Sequence, residues 1–197
     1  MRIILASQSP RRRELLAQMG ITKFDILPAQ GEEVADRTLP PHLLVEELAL
    51  HKAEEIAAQA GPEDLVIAAD TVVAIDGQVL GKPRSEAHAI EMITALAGRE
   101  HHVYTGFTVC YRGQVLSGHE DTAVRFRPLT LDEIAAYVAT GEPMDKAGAY
   151  GIQGRGCVLV EGIRGDYYNV VGLPVCRLAQ TLAKLGVNGL TGEGIDP

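Results

Sequence analysis

The sequence predicts an α/β fold: a single domain with a mixed, twisted sheet flanked by helices. Three observations carry this reading. Short apolar runs rich in β-branched residues alternate with stretches of helical periodicity. Two turn signals, Asp76-Gly77 and Arg112-Gly113, sit between extended runs and insert hairpins into that alternation, which mixes parallel with antiparallel pairing. A length of 197 residues suffices for one domain with a real core. The domain is expected over residues 1–190, with a loose glycine-bearing tail over 191–197.

The elements follow in order. Ile3, Ile4 and Leu5 read as a buried strand. Ser9-Pro10 starts a helix, because a hydroxyl caps free N–H groups and proline suits the first turn. Leu15, Leu16 and Met19 recur at helical spacing, and Gly20 ends the helix. Residues 24–27 read as a second strand, and 28–41 as a polar loop carrying Glu32, Glu33 and Asp36. Over 41–60, Leu44, Val45, Leu48, Ala49, Ala53, Ile56 and Ala57 make one apolar helical face, closed by Gly61-Pro62. Residues 65–69 form an apolar strand ending in Asp70-Thr71, and 72–75 and 78–80 flank the first hairpin turn. Ser85 opens a helix faced by Ile90, Ile93 and Leu96. Residues 101–111 and 114–127 read as a long hairpin. Thr130 and Glu133 make a capping-box pattern for a helix that stops near Gly141. The stretch "DKAGAYGIQGRG", residues 145–156, reads as a loop with short extended pieces. Residues 157–163 and 168–171 read as late strands, and Pro174 starts a final helix reaching about Leu185.

Composition narrows the function. The formal net charge is −8, which argues against a general nucleic-acid binder, since such proteins carry a basic face. No apolar run is long enough to span a membrane. The opening "MRIILASQSP" turns polar too early for a signal peptide. Cys110, Cys157 and Cys176 are far apart and odd in number. They predict core packing rather than a disulfide framework, and a cytoplasmic location. There is no G-x-x-x-x-G-K-[ST] loop, no G-x-G-x-x-G after a strand and no G-x-S-x-G elbow. The six histidines fit no zinc spacing, and strand alternation sends His101 and His102 to opposite faces.

Several residues could still carry chemistry. Arg11, Arg12 and Arg13 occupy the first turn of a helix, where the dipole favours anions over cations. Two readings stand: solvated surface charge, one arginine pairing with Glu14, or an anion site built with Ser7 and Ser9 on the helix N-terminus. Asp70 ends a strand apolar enough to be buried on both faces, and ligand crevices open at such carboxyl ends. The alternative, an aspartate that merely begins a turn, is weakened because the chain continues as strand. Glu32 and Glu33 lie in a loop, either solvated or functional. Oxygen ligands of this kind suit Mg²⁺ or Mn²⁺, with phosphate oxygens completing the shell. Lys52, Lys82 and Lys146 are each ordinary surface lysines taken alone; together with the arginines they are the cations a triphosphate needs.

These residues carry a resemblance. "LASQSPRRRELL", Glu33, "AADTVV", "GKP", "GREHHVYTG", "DKAGAYGIQG" and "VVGLP" run in order over nearly the whole chain. Together they resemble the Maf family of septum-formation-associated nucleotide pyrophosphatases. The resemblance implies a single-domain fold related to the inosine triphosphatase type. It implies hydrolysis of nucleoside triphosphates to the monophosphate and pyrophosphate, dependent on a divalent metal. "AYGIQG" and Arg11 are similar to the branch acting on dTTP and UTP rather than 7-methyl-GTP. The first acidic position, often Asp in the family, is Glu32 here. By resemblance Glu33 and Asp70 hold the metal, and Asp70 is the general base. Lys52, Lys82 and Arg12 stabilise phosphate charge, and Ser7 and Lys146 contact substrate. Arg11, Thr71 and Gln153 match selectivity positions, and the Gln153 amide can both donate to and accept from a uracil or thymine edge. Arg13 receives no role. A homodimer is implied as well. The rival from another class is a non-catalytic nucleotide-binding regulator of cell division; both predict nucleotide binding, and only the enzyme predicts turnover.

Overall fold

The computed structural model describes residues 1–31, 35–36 and 38–195. The strands are β1 (Ile3–Leu5), β2 (Asp25–Ile26), β3 (Leu65–Ile75), β4 (Gln78–Leu80), β5 (Glu100–Tyr111), β6 (Gln114–Phe126) and β7 (Val160–Arg164). They form a seven-stranded sheet in the order β2-β1-β3-β5-β6-β7, with β4 paired to β3. The helices are α1 (Pro10–Gln18), α2 (Pro41–Ala57), α3 (Glu86–Leu96), α4 (Leu131–Val138), α5 (Tyr167–Val171) and α6 (Val175–Ala183). β1 pairs in parallel with β2 and β3, while β3–β4 and β6–β7 are antiparallel. The sheet is therefore mixed, as the interrupted alternation predicts. Both turns have the required backbone: Asp76 and Gly77 have φ of 50° and 75°, and Arg112 and Gly113 have 49° and 75°. Paired positive φ values are what a two-residue turn of type I′ needs.

Within the chain two compact units can be distinguished. One comprises residues 1–70, 105–120 and 172–197; the other comprises 71–104 and 121–171. β3, β5 and β6 each contribute residues to both. In the first unit, Ile4, Ala6, Val66 and Ala68 of the β1–β3 region pack with Ala53 and Ile56 of α2 and with Cys110. The contact is close because small residues line it. A Cβ on Gly106 of β5 would lie 2.2 Å from the Val45 carbonyl oxygen, so only glycine lets α2 approach this strand. In the C-terminal segment, Asn188 N–H donates to Glu193 O and Gly192 N–H to Asn188 O, both at 2.9 Å.

In the second unit, α3 and α4 bury Met92, Ile93, Leu96, Ile134 and Val138 with Val73, Val124 and Phe126. Thr130 and Glu133 form the full capping box at the start of α4. Asn169 of α5 donates Nδ2–H bonds of 2.9 Å to Val103 O and Thr122 Oγ1. Residues 168–171 are thus helix rather than the expected strand: Asp166 accepts the Tyr168 N–H at 2.8 Å and starts the turn. The glycine-rich stretch folds as 3-10 turns over Glu142–Asp145, Ala147–Ala149 and Gly154–Val158. The last of these delays the following strand to Val160. Only Cys110 is buried; Cys157 and Cys176 are exposed, one on a 3-10 turn and the other on the outer face of α6.

His101 is 1 % exposed, with its ring edge-on to Phe126 and Tyr150. Its Nε2 lies 2.8 Å from the Tyr150 hydroxyl. Burial, helped by the neighbouring His102, pushes its pKa down from 6.5 to about 4. Above pH 6.5 the ring is neutral in both the folded and unfolded chain. Below it the unfolded chain takes up a proton that the folded ring refuses until about pH 4. Stability is therefore expected to fall as pH drops from 6.5 towards 4, by about 3 kcal/mol from this group. Urea denaturation across that window should show a smaller decline for His101→Gln than for the wild type; equal declines would assign the loss to other groups.

Candidate active site

β1 delivers the chain to the start of α1. Ser9 caps the helix, its Oγ accepting the Arg12 N–H at 3.4 Å, and Pro10 occupies the first turn. Ser7 is only 7 % exposed, yet polar. Its Oγ accepts the Ser9 N–H at 3.2 Å and an Arg12 Nη1–H at 3.3 Å. Arg12 Nε–H also donates to Gly172 O at 2.8 Å. The guanidinium is thereby held along the junction instead of trailing into solvent. Arg11 is half-buried and Arg13 is exposed. The three arginines thus separate into one held along the junction, one half-buried and one exposed.

β3 lies beside β1 in parallel, with Leu5 opposite Ile67 and Ala6 N–H donating to Ile67 O at 2.8 Å. The carboxyl end of β1 and the middle of β3 are consequently neighbours. Leu65 to Ala69 are fully buried, and the next residue is Asp70. Its Oδ1 accepts from Lys52 Nζ of α2 at 2.5 Å, with 15 % of the Asp70 side chain and 20 % of the Lys52 side chain exposed. The ion pair offsets part of the cost of taking both charged groups partly out of water. The structure so brings together Ser7 with Arg12 just beyond β1, and Lys52 with Asp70 in the middle of neighbouring β3, which runs on past the strand end expected at Asp70.

The remaining predicted residues lie in the second unit. Thr71 follows Asp70 in β3 and is half-buried. Lys82 is exposed just beyond β4, and Gly81 O accepts the Gly148 N–H at 3.0 Å, which draws the Lys82 and Lys146 segments together. Lys146 Nζ donates to Glu142 O at 2.6 Å and to Asp145 Oδ1 at 2.7 Å. Gln153 is half-buried, at the residue preceding the 3-10 turn Gly154–Val158. Glu33, expected as a metal ligand, lies outside the described residues, as does Glu32.

Among the described residues no group of three or more His, Cys, Asp or Glu side chains is placed to hold a metal ion. An all-protein cage is therefore not formed by them. The half-buried Asp70 carboxylate nonetheless fits an ion such as Mg²⁺, which keeps several waters and takes one or two carboxylates plus substrate phosphates.

The sequence pattern of the Maf-like proteins matches residues 2–185. The chain belongs to the Maf family. A relative from Moorella thermoacetica named dTTP/UTP pyrophosphatase is 55 % identical over 189 residues, covering 95 % of this chain and 96 % of that protein. One of the same name from Thermococcus kodakarensis is 49 % identical over 190 residues, covering 96 % of this chain and 99 % of that protein. Among solved structures, a HAM1 protein from Coxiella burnetii superposes with a TM-score of 0.54 at 18 % identity, over 93 % of this chain and 99 % of that one. That likeness shows a shared fold.

Sequence reasoning missed three participants in this Maf protein. The Gly172 carbonyl that holds Arg12 is 160 residues away in the chain. Glu142 and Tyr137, which bind the glycine-rich turn, carry no local signature beyond a glutamate after a helix stop. The Lys52–Asp70 pair yields a test. Lys52→Met should destabilise the fold by about 1–3 kcal/mol, because it strands a half-buried carboxylate. Lys52→Met with Asp70→Asn should recover part of that loss in a double-mutant cycle by urea denaturation. A coupling energy near zero would show that the pair does not interact in solution.

Proposed function

We propose that this protein hydrolyses nucleoside triphosphates, dTTP and UTP foremost, to the monophosphate and pyrophosphate. The observation that supports this best is the pairing of Asp70 on β3 with Lys52 on α2, beside the Ser7–Arg12 junction that follows neighbouring β1. It stands in a chain 55 % identical to a protein named dTTP/UTP pyrophosphatase. Asp70 is the general base. It takes a proton from water as the water oxygen bonds to the α-phosphorus; the bond to the bridging oxygen breaks, and pyrophosphate leaves. Lys52 orients the carboxylate and presents positive charge to the developing anion. Arg12, fixed by Ser7 and Gly172, meets phosphate oxygens at the start of α1, where the helix dipole adds to its charge. Lys82 and Lys146 supply further cations for the phosphate chain.

Asp70, with Glu33, would hold a divalent cation such as Mg²⁺ or Mn²⁺. When bound, that ion neutralises phosphate charge and polarises the phosphoryl oxygens. Gln153, Arg11 and Thr71 select the base. Uracil and thymine present an acceptor–donor–acceptor edge, and an amide that both donates and accepts matches part of it. The protein acts as a cytoplasmic homodimer; light scattering giving a monomer mass at micromolar concentration would overturn the dimer. No described helix is long and apolar enough to cross a membrane. The non-catalytic regulator of cell division is the weaker reading, because a pure sensor has no need of a carboxylate held by an ammonium group beside a phosphate site.

Asp70→Asn should retain the fold and nucleotide binding and lose about 10²–10⁴ in turnover. Near wild-type turnover in that variant would reassign the base. Excess EDTA should abolish activity, and full activity in its presence would remove the metal from the mechanism. On a nucleotide panel, kcat/KM should favour dTTP and UTP over ATP and GTP. Arg11→Ala and Gln153→Ala should weaken that preference, losing more on the preferred bases than on purines. A common loss on every base would show that these two residues do not read it.

A further inference from the structure

Glu142 follows Gly141 at the end of α4 and is half-buried, with an uncommon load of donors. Its Oε2 accepts the Arg155 N–H at 2.8 Å. Its Oε1 accepts the Gly156 N–H at 2.9 Å and the Tyr137 hydroxyl at 2.9 Å. The Tyr137 oxygen in turn accepts the Gly151 N–H at 3.2 Å. The carboxylate thus grips residues 151–156 at both ends, directly at 155 and 156 and through Tyr137 at 151. Gln153 lies at the middle of the gripped segment.

The packing leaves this turn few alternatives. A Cβ on Gly156 would lie 2.1 Å from Gly151 O and 2.8 Å from the Tyr137 hydroxyl. A Cβ on Gly154, whose φ is +64°, would lie 2.6 Å from Glu142 Oε2. The glycines let the backbone close around the carboxylate, and the carboxylate satisfies the N–H groups that this closure turns inward. Burial opposes the charge on Glu142, but the Arg155 and Gly156 N–H groups, with the Tyr137 hydroxyl and Lys146, more than offset it and lower its pKa.

We infer that Glu142 is a positioning residue for base selection: its carboxylate, with Tyr137, fixes the turn over residues 151–156 and so sets where the Gln153 amide stands. The inference rests on the proposed role of Gln153 in reading the base. It adds a residue that never touches substrate and acts through the backbone of the turn.

The test uses a property of the amide isostere. In Glu142→Gln, either orientation of the side chain sets its NH₂ against a backbone N–H, that of Arg155 or that of Gly156. The turn must shift although size and shape are kept. Expected is a fall of about tenfold or more in the ratio of kcat/KM for dTTP to that for ATP, carried mostly by a rise in KM for dTTP. Turnover at saturating ATP should change little. Tyr137→Phe removes the hydroxyl between Glu142 and Gly151 but keeps the Arg155 and Gly156 N–H bonds to the carboxylate, so it should move the same ratio in the same direction by less. It also decides the matter if Glu142→Gln does not fold. Thermal melting of each variant establishes that folded protein is assayed. A uniform loss on all nucleotides, or an unchanged ratio in the folded variants while Gln153→Ala lowers it, would overturn the positioning role and leave the base-reading role of Gln153 intact. An unchanged ratio in Gln153→Ala itself would overturn both, and that variant alone identifies the failure as one of the base-reading assignment.

Discussion

The charged pair Asp70–Lys52 is the constraint around which the first unit is arranged. Five fully buried residues lead into Asp70 along β3, and a carboxylate at the end of such a run is costly without a cation. The cation comes from α2, whose buried face of Ala49, Ala53 and Ile56 brings the helix close to the sheet. Small side chains on that face and Gly106 on β5 are therefore part of the same arrangement as the charges. They permit the close approach that puts Lys52 Nζ 2.5 Å from Asp70.

A second arrangement of the same kind operates in the other unit with backbone donors in place of a lysine. Glu142 is surrounded by N–H groups that a glycine-rich turn exposes, and neither the carboxylate nor the turn is well satisfied without the other. Tyr137 extends the network by one hydroxyl, and burial raises its pKa, which keeps it a donor over the working pH range. The buried aromatic group of His101, Phe126 and Tyr150 anchors the residue that directly precedes Gly151. The turn is consequently held by polar contacts at 151, 155 and 156 and by packing at 150.

Ser7 and Arg12 show how the two kinds of residue differ in what the sequence reveals. Ser9-Pro10 states a helix start in purely local terms, since capping and proline geometry act over three or four residues. The structure has that helix. The fate of the arginines depended on partners far along the chain: Gly172 O fixes Arg12, and nothing near Arg12 announces it. The cysteines err in the same way. Apolar neighbours in sequence predict burial for all three, but Cys157 sits on a turn and Cys176 on the outer face of α6. Likewise 168–171 looks like a strand by composition and is helical because Asp166 caps it and Asn169 has its partners on β5 and β6.

Hydrophobic period, caps and paired turn residues, all effects of short range, determined from the sequence alone the mixed α/β class, the two hairpin turns and the placing of Asp70 at the end of a buried run. The family motifs determined which residues to watch, among them Glu33, which lies outside the described residues. Tertiary structure alone decided that Lys52 pairs with Asp70, that Arg12 is pinned while Arg13 is solvated, and that Glu142 gathers the glycine-rich turn. Each of these is a match of charge or hydrogen-bonding groups across a distance in sequence. Local propensity holds no information about such a match, because it exists only once the helices and strands have packed.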